Sequence, residues 1–376
     1  MEQDQKPYKP YRFIIAGGGT GGHIFPAVAI AQALKKLAPG SQFLFVGAKG
    51  KMEMEKVPQA GFDIRGLTIS GFNRSSLIKN IWLPVKLVKS FFEVASIFRS
   101  YKPDAILGVG GYSTFPVLAY AQRKGIPNFI HEANSFAGKS NIMLGKKATR
   151  VYVATEGMEK FFPPERLIVT GNPVREAIAT SAGLIERFDA VRRFSLDPSK
   201  KTILVVGGSL GAKSINEAIE KDLDLFDQNG LQLIWQTGKL FLERARDVSR
   251  NKKNVYVSDF ITQMEYAYAA ADMVISRSGA MAIAELCIVR KPVVFVPYPH
   301  AAENHQTVNA MHLVNREAAL MVPDADVLNK LVPTLMQLSA NQDAQESLKK
   351  NIAKLAIDDA DFVVAGDMLQ ILSKKA

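Results

Sequence analysis

The sequence predicts an α/β protein made of two doubly wound, Rossmann-like domains, and three observations predict it. The chain has 376 residues, more than one core usually organises, so two domains are expected. Short apolar runs alternate with helical segments from end to end. Most of these runs are continuously apolar, as parallel strands covered on both faces are. A strand, a glycine turn and a helix open each half. Phe13–Ala16 leads into Gly17-Gly18-Gly19-Thr20-Gly21-Gly22-His23, and Thr202–Val206 leads into Gly207-Gly208-Ser209-Leu210-Gly211-Ala212. Strand then helix, repeated this way, is the pattern of doubly wound sheets.

In chain order, strands are expected at Phe13–Ala16, Gln42–Val46, Ala105–Val109, Asn128–His131, Val151–Ala154 and Leu167–Thr170 in the first half. The second half supplies Thr202–Val206, Leu231–Gln236, Val255–Val257, Met273–Ser276 and Pro292–Pro297. The first domain is set at 1–172 and the second at 173–345, with a linker over 173–195. A helical tail, 346–376, interrupted by Asp358-Asp359-Ala360-Asp361, is expected to pack back on the first domain.

Composition narrows the class. Hydrophobic residues make up 47% and charged residues 22%, ordinary for a soluble globular protein. The single cysteine, Cys287, excludes an internal disulfide framework and reads as a small buried hydrophobe. A formal charge of +11 suggests an anionic partner, which could be nucleic acid, an acidic membrane surface or a phosphorylated substrate. The polar first eleven residues lack the apolar core of a signal peptide, and no apolar run has the length of a spanning helix. The chain is therefore expected in the cytoplasm, at most on a membrane surface. The segment Leu77–Phe98 is rich in large apolar residues, including Trp82, Phe91 and Phe92, with Lys79, Lys86 and Lys89 among them. It suits either a core helix with a basic edge or a surface that dips into an anionic bilayer.

The glycine turns carry the chemistry. A strand that stops at glycines and restarts as a helix aims unpaired amides and the helix dipole at one point, which suits an anion. Gly17, Gly19 and Gly22 match the dinucleotide spacing, but no Asp or Glu stands between Tyr11 and Glu53 to bind a ribose, so a nicotinamide site is excluded. The second turn resembles a P-loop, but Ala212 stands where Lys213 would have to be. A third turn, Ser276-Arg277-Ser278-Gly279-Ala280, opens a helix through Met281, Ala282, Ile283 and Ala284 to Glu285, placed for a ribose diol. Gly110-Gly111-Tyr112 and His131-Glu132-Ala133-Asn134 sit at further strand ends, where ligands bind in open α/β sheets. The cluster from His300 through Gln306 to Asn309 is another. No spacing resembles a metal site, and the Asp-x-Asp pairs Asp222/Asp224, Asp324/Asp326 and Asp359/Asp361 read as solvated.

Taken in order, these motifs resemble the peptidoglycan N-acetylglucosaminyltransferases of glycosyltransferase family 28. The resemblance runs over nearly the whole chain and includes Gly171-Asn172-Pro173-Val174-Arg175. It implies the GT-B fold, with a cleft between the domains. The implied reaction moves N-acetylglucosamine from UDP-GlcNAc to lipid I, the undecaprenyl-diphosphate-linked muramyl pentapeptide, with inversion. By that pattern Glu285 binds the ribose, and Ser209 and the helix from Ala280 through Ala284 bind the diphosphate. Ile261 lies beside the uracil through its backbone, and Arg175 falls on the nucleotide side. Asn134 and Gln306 contact the sugar, with Thr20, Gly21 and Gly22 closing from the first domain. Gly18, Gly19, Gly110, Gly111 and Tyr112 fall on the acceptor side.

An acceptor hydroxyl attacking the anomeric carbon must lose a proton while the leaving UDP gains charge. His23 is the leading candidate base and Glu132 the second; positioning the acceptor diphosphate is the competing role for His23. No cofactor is implied, and divalent-ion stimulation stays open. Leu210, Ala133 and Ala282 depart from the family pattern, where Gln, Gln and Thr are usual, which thins polar contacts around sugar, acceptor and diphosphate. A lipid-linked acceptor favours the bilayer reading of Leu77–Phe98. It implies peripheral binding at the cytoplasmic face, with other cell-wall synthesis proteins as further partners and nucleic acid excluded. The alternative is another GT-B UDP-GlcNAc enzyme, such as a 2-epimerase.

Overall fold

The computed structural model describes residues 8–70, 83–208, 210–301 and 304–374; Lys79, Trp82 and Ser209 lie outside the described residues. The chain divides into two compact units, Met1–Arg175 with Asp359–Ala376, and Glu176–Asp358.

Unit 1 contains β1 (Arg12–Ala16), α1 (Gly21–Leu37), β2 (Gln42–Ala48), α2 (Glu53–Gln59), β3 (Asp63–Leu67) and α3 (Leu83–Tyr101). It continues with β4 (Ala105–Gly108), α4 (Thr114–Arg123), β5 (Asn128–Glu132), α5 (Lys139–Gly145), β6 (Arg150–Val153) and β7 (Leu167–Val169). The strands form one parallel sheet in the order β3-β2-β1-β4-β5-β6-β7. Alternate residues of β1 face opposite layers, which is why the run is apolar throughout. Phe13 and Ile15 join Ile30, Leu34 and Phe129 on one side, while Ile14 and Ala16 meet Val94, Val117 and Leu118 on the other. The strand order reverses between β1 and β4, so their carboxyl ends form the switch-point crevice.

Unit 2 repeats this plan. Its elements are α6 (Glu176–Ser181), α7 (Arg187–Arg193), β8 (Lys201–Val206), α8 (Lys213–Lys221), α9 (Leu223–Gln228), β9 (Leu231–Gln236), α10 (Leu242–Ser249) and β10 (Val255–Ser258). Then come α11 (Met264–Ala270), β11 (Met273–Ser276), α12 (Ala280–Val289), β12 (Val293–Phe295), α13 (His305–Val314), β13 (Leu320–Met321), α14 (Val327–Ala340) and α15 (Gln342–Ala353). The sheet order is β10-β9-β8-β11-β12-β13, again parallel, with its switch between β8 and β11. Cys287 is buried, and burial pushes its thiol up to about 12, so it behaves as core.

Four features differ from the sequence expectation. The edge strands β3 and β13 were not anticipated. Asp63-Ile64-Arg65-Gly66-Leu67 is half polar because only one neighbour covers it, and β13 has only two residues. The segment 173–195 is not a bare linker, because α6 packs on α12 and α7 on α11 within unit 2. The division falls after Arg175, not after 172. Finally, the tail is split: α15 packs on α12 and α14 in unit 2, and only α16 (Ala360–Lys374) lies along α1 in unit 1.

The return of α16 is secured by packing and by one polar link. Val364, Ala365, Met368, Leu369 and Leu372 are buried in the layer that holds Ile30 and Leu34. Asp367 accepts a hydrogen bond from Tyr152 Oη at 2.8 Å and pairs with Arg150 Nε at 3.2 Å. Burial, then Asp367, holds the Tyr152 hydroxyl well above its usual pKa, so it remains a donor. Met368→Ala leaves a cavity against α1 and is expected to cost about 2–5 kcal/mol, read from urea unfolding followed by a probe in unit 1.

Candidate active site

In unit 1 the site is built where two glycine turns touch. Gly18 N–H donates to Gly110 O at 3.2 Å, and Gly17 N–H donates to Val46 O at 3.2 Å. Gly110 and Gly111 hold φ of +94° and +93°. A Cβ on Gly111 would overlap the Gly18 carbonyl, so only glycine allows this approach. The turn then enters α1, whose first-turn amides at Thr20, Gly21 and Gly22 have no intrahelical acceptor.

His23 lies in that first turn. Its Nδ1 is 2.9 Å from Gly18 O, with Thr20 Oγ1 at 3.4 Å. A carbonyl only accepts, so Nδ1 carries the proton and Nε2 keeps its lone pair. Nε2 faces Gly110, where a Cβ would stand 2.8 Å away. The second glycine turn thus leaves the basic nitrogen room. Tyr112, 46% exposed, follows at the same edge.

Glu132 is placed differently. It ends β5, is buried, and accepts four hydrogen bonds: Asn134 N and Nδ2 on Oε1, and Gly138 N and Asn141 Nδ2 on Oε2. Its lone pairs are committed to holding the 134–138 loop and the start of α5. That is the bonding of an anchor, and it orients Asn134. Arg175, at the end of unit 1, stacks its guanidinium over the Phe25 ring at 5.3 Å, one turn along α1. His131 is fully buried beside them, and burial, with the nearby His23 adding to it, lowers its pKa to about 4 against the weak opposing contact to Gly171 O.

In unit 2 the cradle forms at the switch between β8 and β11. The helix α12 starts at Ala280 after Gly279, and Ile283 N–H already donates to Gly279 O at 3.0 Å. Its first turn therefore leaves the amides of Met281 and Ala282 without an intrahelical acceptor, whereas Ile283 and Ala284 lie within the helical ladder. Glu285 is buried, and Tyr268 Oη donates to its Oε2 at 3.0 Å. Gln306 Oε1 accepts from Tyr298 N–H at 2.9 Å, while Ser278 Oγ donates to the Gln306 carbonyl at 2.8 Å, tying α13 to this turn. Ile261 N–H is taken by Gln236 Oε1 at 2.9 Å, and Gln236 Nε2 donates to Gly208 O at 3.2 Å. Ile261 therefore offers a ligand its carbonyl rather than its N–H.

One reading of the sequence is overturned here. Asp324 is not solvated: its Oδ1 pairs with Arg277 Nη1 at 2.5 Å and accepts from Ser214 Oγ at 2.7 Å. Arg277 also donates to the carbonyls of Val296 and Pro297, so it fastens four loops together instead of reaching outward to a phosphate. Asp224 and Asp326 do follow the surface pattern, pairing with Lys252 and Lys330.

Comparison with known proteins follows this geometry. Residues 13–153 match the glycosyltransferase family 28 N-terminal domain, and residues 202–361 match the family 28 C-terminal domain. The chain belongs to glycosyltransferase family 28. It is 48% identical over 364 residues (96% of this chain, 95% of the relative) to the Bacteroides fragilis UDP-N-acetylglucosamine–N-acetylmuramyl-(pentapeptide) pyrophosphoryl-undecaprenol N-acetylglucosamine transferase. The Parabacteroides distasonis protein of the same name is 48% identical over 372 residues, 98% of this chain and 100% of the relative. Among solved structures, Acinetobacter baumannii MurG superposes with a TM-score of 0.74 at 29% identity, covering 96% of this chain and 100% of that one. The two parallel-sheet units are thus the family's GT-B architecture.

Sequence reasoning missed Glu53, Gln236 and Tyr268, and misread Asp324. Each lies outside the glycine motifs and acts by gripping a motif's backbone, its acid or, for Asp324, its arginine, so no local spacing announces it.

The buried His131 has a pH consequence. Between about pH 6.5 and 4 the unfolded chain binds a proton that folded His131 refuses, so stability falls as pH drops through that window. Unfolding midpoints of the wild type and His131→Asn, compared from pH 7 to 4, should show a shallower fall in the variant.

Proposed function

We propose that the protein transfers N-acetylglucosamine from UDP-GlcNAc to the C4 hydroxyl of the muramyl pentapeptide on undecaprenyl diphosphate, forming lipid II with inversion. The observation that carries this reading is the near-full-length identity to transferases named for that reaction. The geometry supports it residue by residue. His23 Nε2 takes the proton of the attacking hydroxyl, and the bond between the anomeric carbon and UDP breaks with its electrons leaving on the diphosphate. The outward amides and dipole of α12 stabilise that charge. Glu285, held by Tyr268, accepts from the ribose hydroxyls. Asn134, oriented by Glu132, and Gln306 hold the sugar, and Glu132 positions rather than abstracts.

The acceptor's lipid is met by α3. Its buried side is Ser90, Val94, Ile97 and Phe98, and Phe91 turns inward to meet Phe115 edge to face at 6.4 Å. Val85, Val88 and Phe92 form an exposed apolar stripe at i, i+3 and i+7, with Phe92 74% exposed and Lys89 alongside. Lys86 Nζ donates to Ser70 Oγ at 3.1 Å. No helix among the described residues is long and apolar enough to cross a membrane. This stripe suits shallow contact with an anionic bilayer surface, where each basic residue contributes about 1 kcal/mol.

Purified protein given UDP-GlcNAc and a short-chain lipid I analogue is expected to form the disaccharide product. Recovery of only an epimerised sugar nucleotide would overturn the assignment in favour of a 2-epimerase. His23→Ala should lower kcat by about 10² or more with donor KM little changed. Tyr268→Phe should instead raise the UDP-GlcNAc KM several-fold by loosening Glu285. Sedimentation with anionic vesicles should fall sharply for Phe92→Asp combined with Lys89→Glu; undiminished binding would rule the stripe out.

A further inference from the structure

Glu53 is 1% exposed, has no ion-pair partner among the described residues, and lies directly beneath the first glycine turn. Its Oε2 accepts the Gly19 N–H at 2.7 Å and its Oε1 accepts the Ala48 N–H at 2.9 Å. The carboxylate fills a slot left by two missing side chains. A Cβ on Gly18 would stand 2.5 Å from Oε1, and a Cβ on Gly47 would overlap the Glu53 side chain. A buried carboxylate without a cation is costly unless amides and dipoles compensate it. Here two amides do so, together with the N-terminus of its own helix α2, of which Glu53 is the first residue.

The amide that Glu53 holds is half of a peptide group whose other half matters. Gly19 N–H and Gly18 C=O belong to the same peptide, and Gly18 O is the acceptor for His23 Nδ1 at 2.9 Å. Carboxylate, peptide and imidazole therefore form one hydrogen-bonded chain. A carboxylate on the N–H end polarises the peptide, makes the carbonyl a stronger acceptor, and fixes the proton on Nδ1. His23 also sits in the first turn of α1, where the helix dipole disfavours an imidazolium; a buried negative charge on the far side of the Gly18–Gly19 peptide opposes that.

We propose that Glu53 is a positioning residue for His23, acting through the Gly18–Gly19 peptide to set the imidazole tautomer and to stabilise the imidazolium formed during transfer. This deepens the proposed function and rests on His23 being the base. The acceptor proton passes to Nε2 as the new glycosidic bond forms and UDP departs with the bonding pair. Nδ1 keeps its proton toward Gly18 O, and Glu53 keeps its hold on the Gly19 N–H.

The test is a double-mutant cycle with a pH profile. Glu53→Gln keeps the shape but sets an amide donor against either Gly19 N–H or Ala48 N–H; Glu53→Asp keeps the charge. In the otherwise wild-type protein, Glu53→Gln should lower kcat about tenfold or more, move the acid limb of the pH profile to lower pH, and leave donor KM within about twofold. Glu53→Asp should recover part of the loss. Added to His23→Ala, Glu53→Gln should cost nothing further, because its route is gone. An equal loss in both backgrounds would overturn the proposal and assign Glu53 to folding alone. Retained turnover in His23→Ala would instead remove the base reading on which the proposal rests. Heteronuclear NMR of the wild-type imidazole nitrogens gives a readout that needs no variant to fold: Nδ1–H is expected for His23, and a dominant Nε2–H form would overturn the chain.

Discussion

The hydrogen bond from Gly18 N–H to Gly110 O brings two strand-to-helix turns closer together than any side chain would allow, and the chemistry of unit 1 depends on that approach. Its geometry settles where the Gly18 carbonyl points, hence which nitrogen of His23 carries the proton, hence which nitrogen faces outward past Gly110. It also sorts the turn's amides. Those of Gly17, Gly18 and Gly19 are spent on Val46, Gly110 and Glu53, which leaves Thr20, Gly21 and Gly22 to meet a ligand. A glycine-rich turn in a Rossmann-like unit is commonly a nucleotide cradle. Here an internal carboxylate occupies part of it, and the turn's carbonyl holds an imidazole instead.

Unit 2 solves the complementary problem with the same topology. Its switch-point turns are braced by Arg277, Asp324 and Gln236, which hold the turn that opens α12 and the loop that carries Ile261. Backbone dipoles fixed in this way are already oriented, so they need no reorganisation to meet a developing negative charge. The basic excess of the chain is not concentrated in this cradle. Much of it lies on exposed helix surfaces such as Lys89 and Arg99 of α3.

Much of this was legible in the sequence. The continuous apolar runs announced parallel strands, and the glycine turns announced the carboxyl edge, because both patterns follow from local backbone requirements. The same local logic put His23, Glu285 and the start of α12 at strand ends. What could not be read was long-range. Glu53 is 34 positions from the amide it grips, and Asp324 is 47 from Arg277. Their partners are set by strand order, which no short motif encodes. Edge strand β3 escaped because a strand with one neighbour need not be apolar throughout, and β13 because it has only two residues. The split of the tail was equally invisible, since α15 and α16 are both amphipathic and nothing local says which core each will cover.

The return of α16 to α1 has a consequence for synthesis. Unit 2 is continuous in sequence and can fold as soon as residue 358 has emerged, but unit 1 lacks one cover of its sheet until Ala360–Lys374 follow. At roughly 5–20 residues per second, the alanine-rich face of α1 stays open for on the order of ten seconds or more after its own strands have been made. The first half of the chain to leave the ribosome is therefore the last to be finished, and it spends that interval with a hydrophobic groove still uncovered.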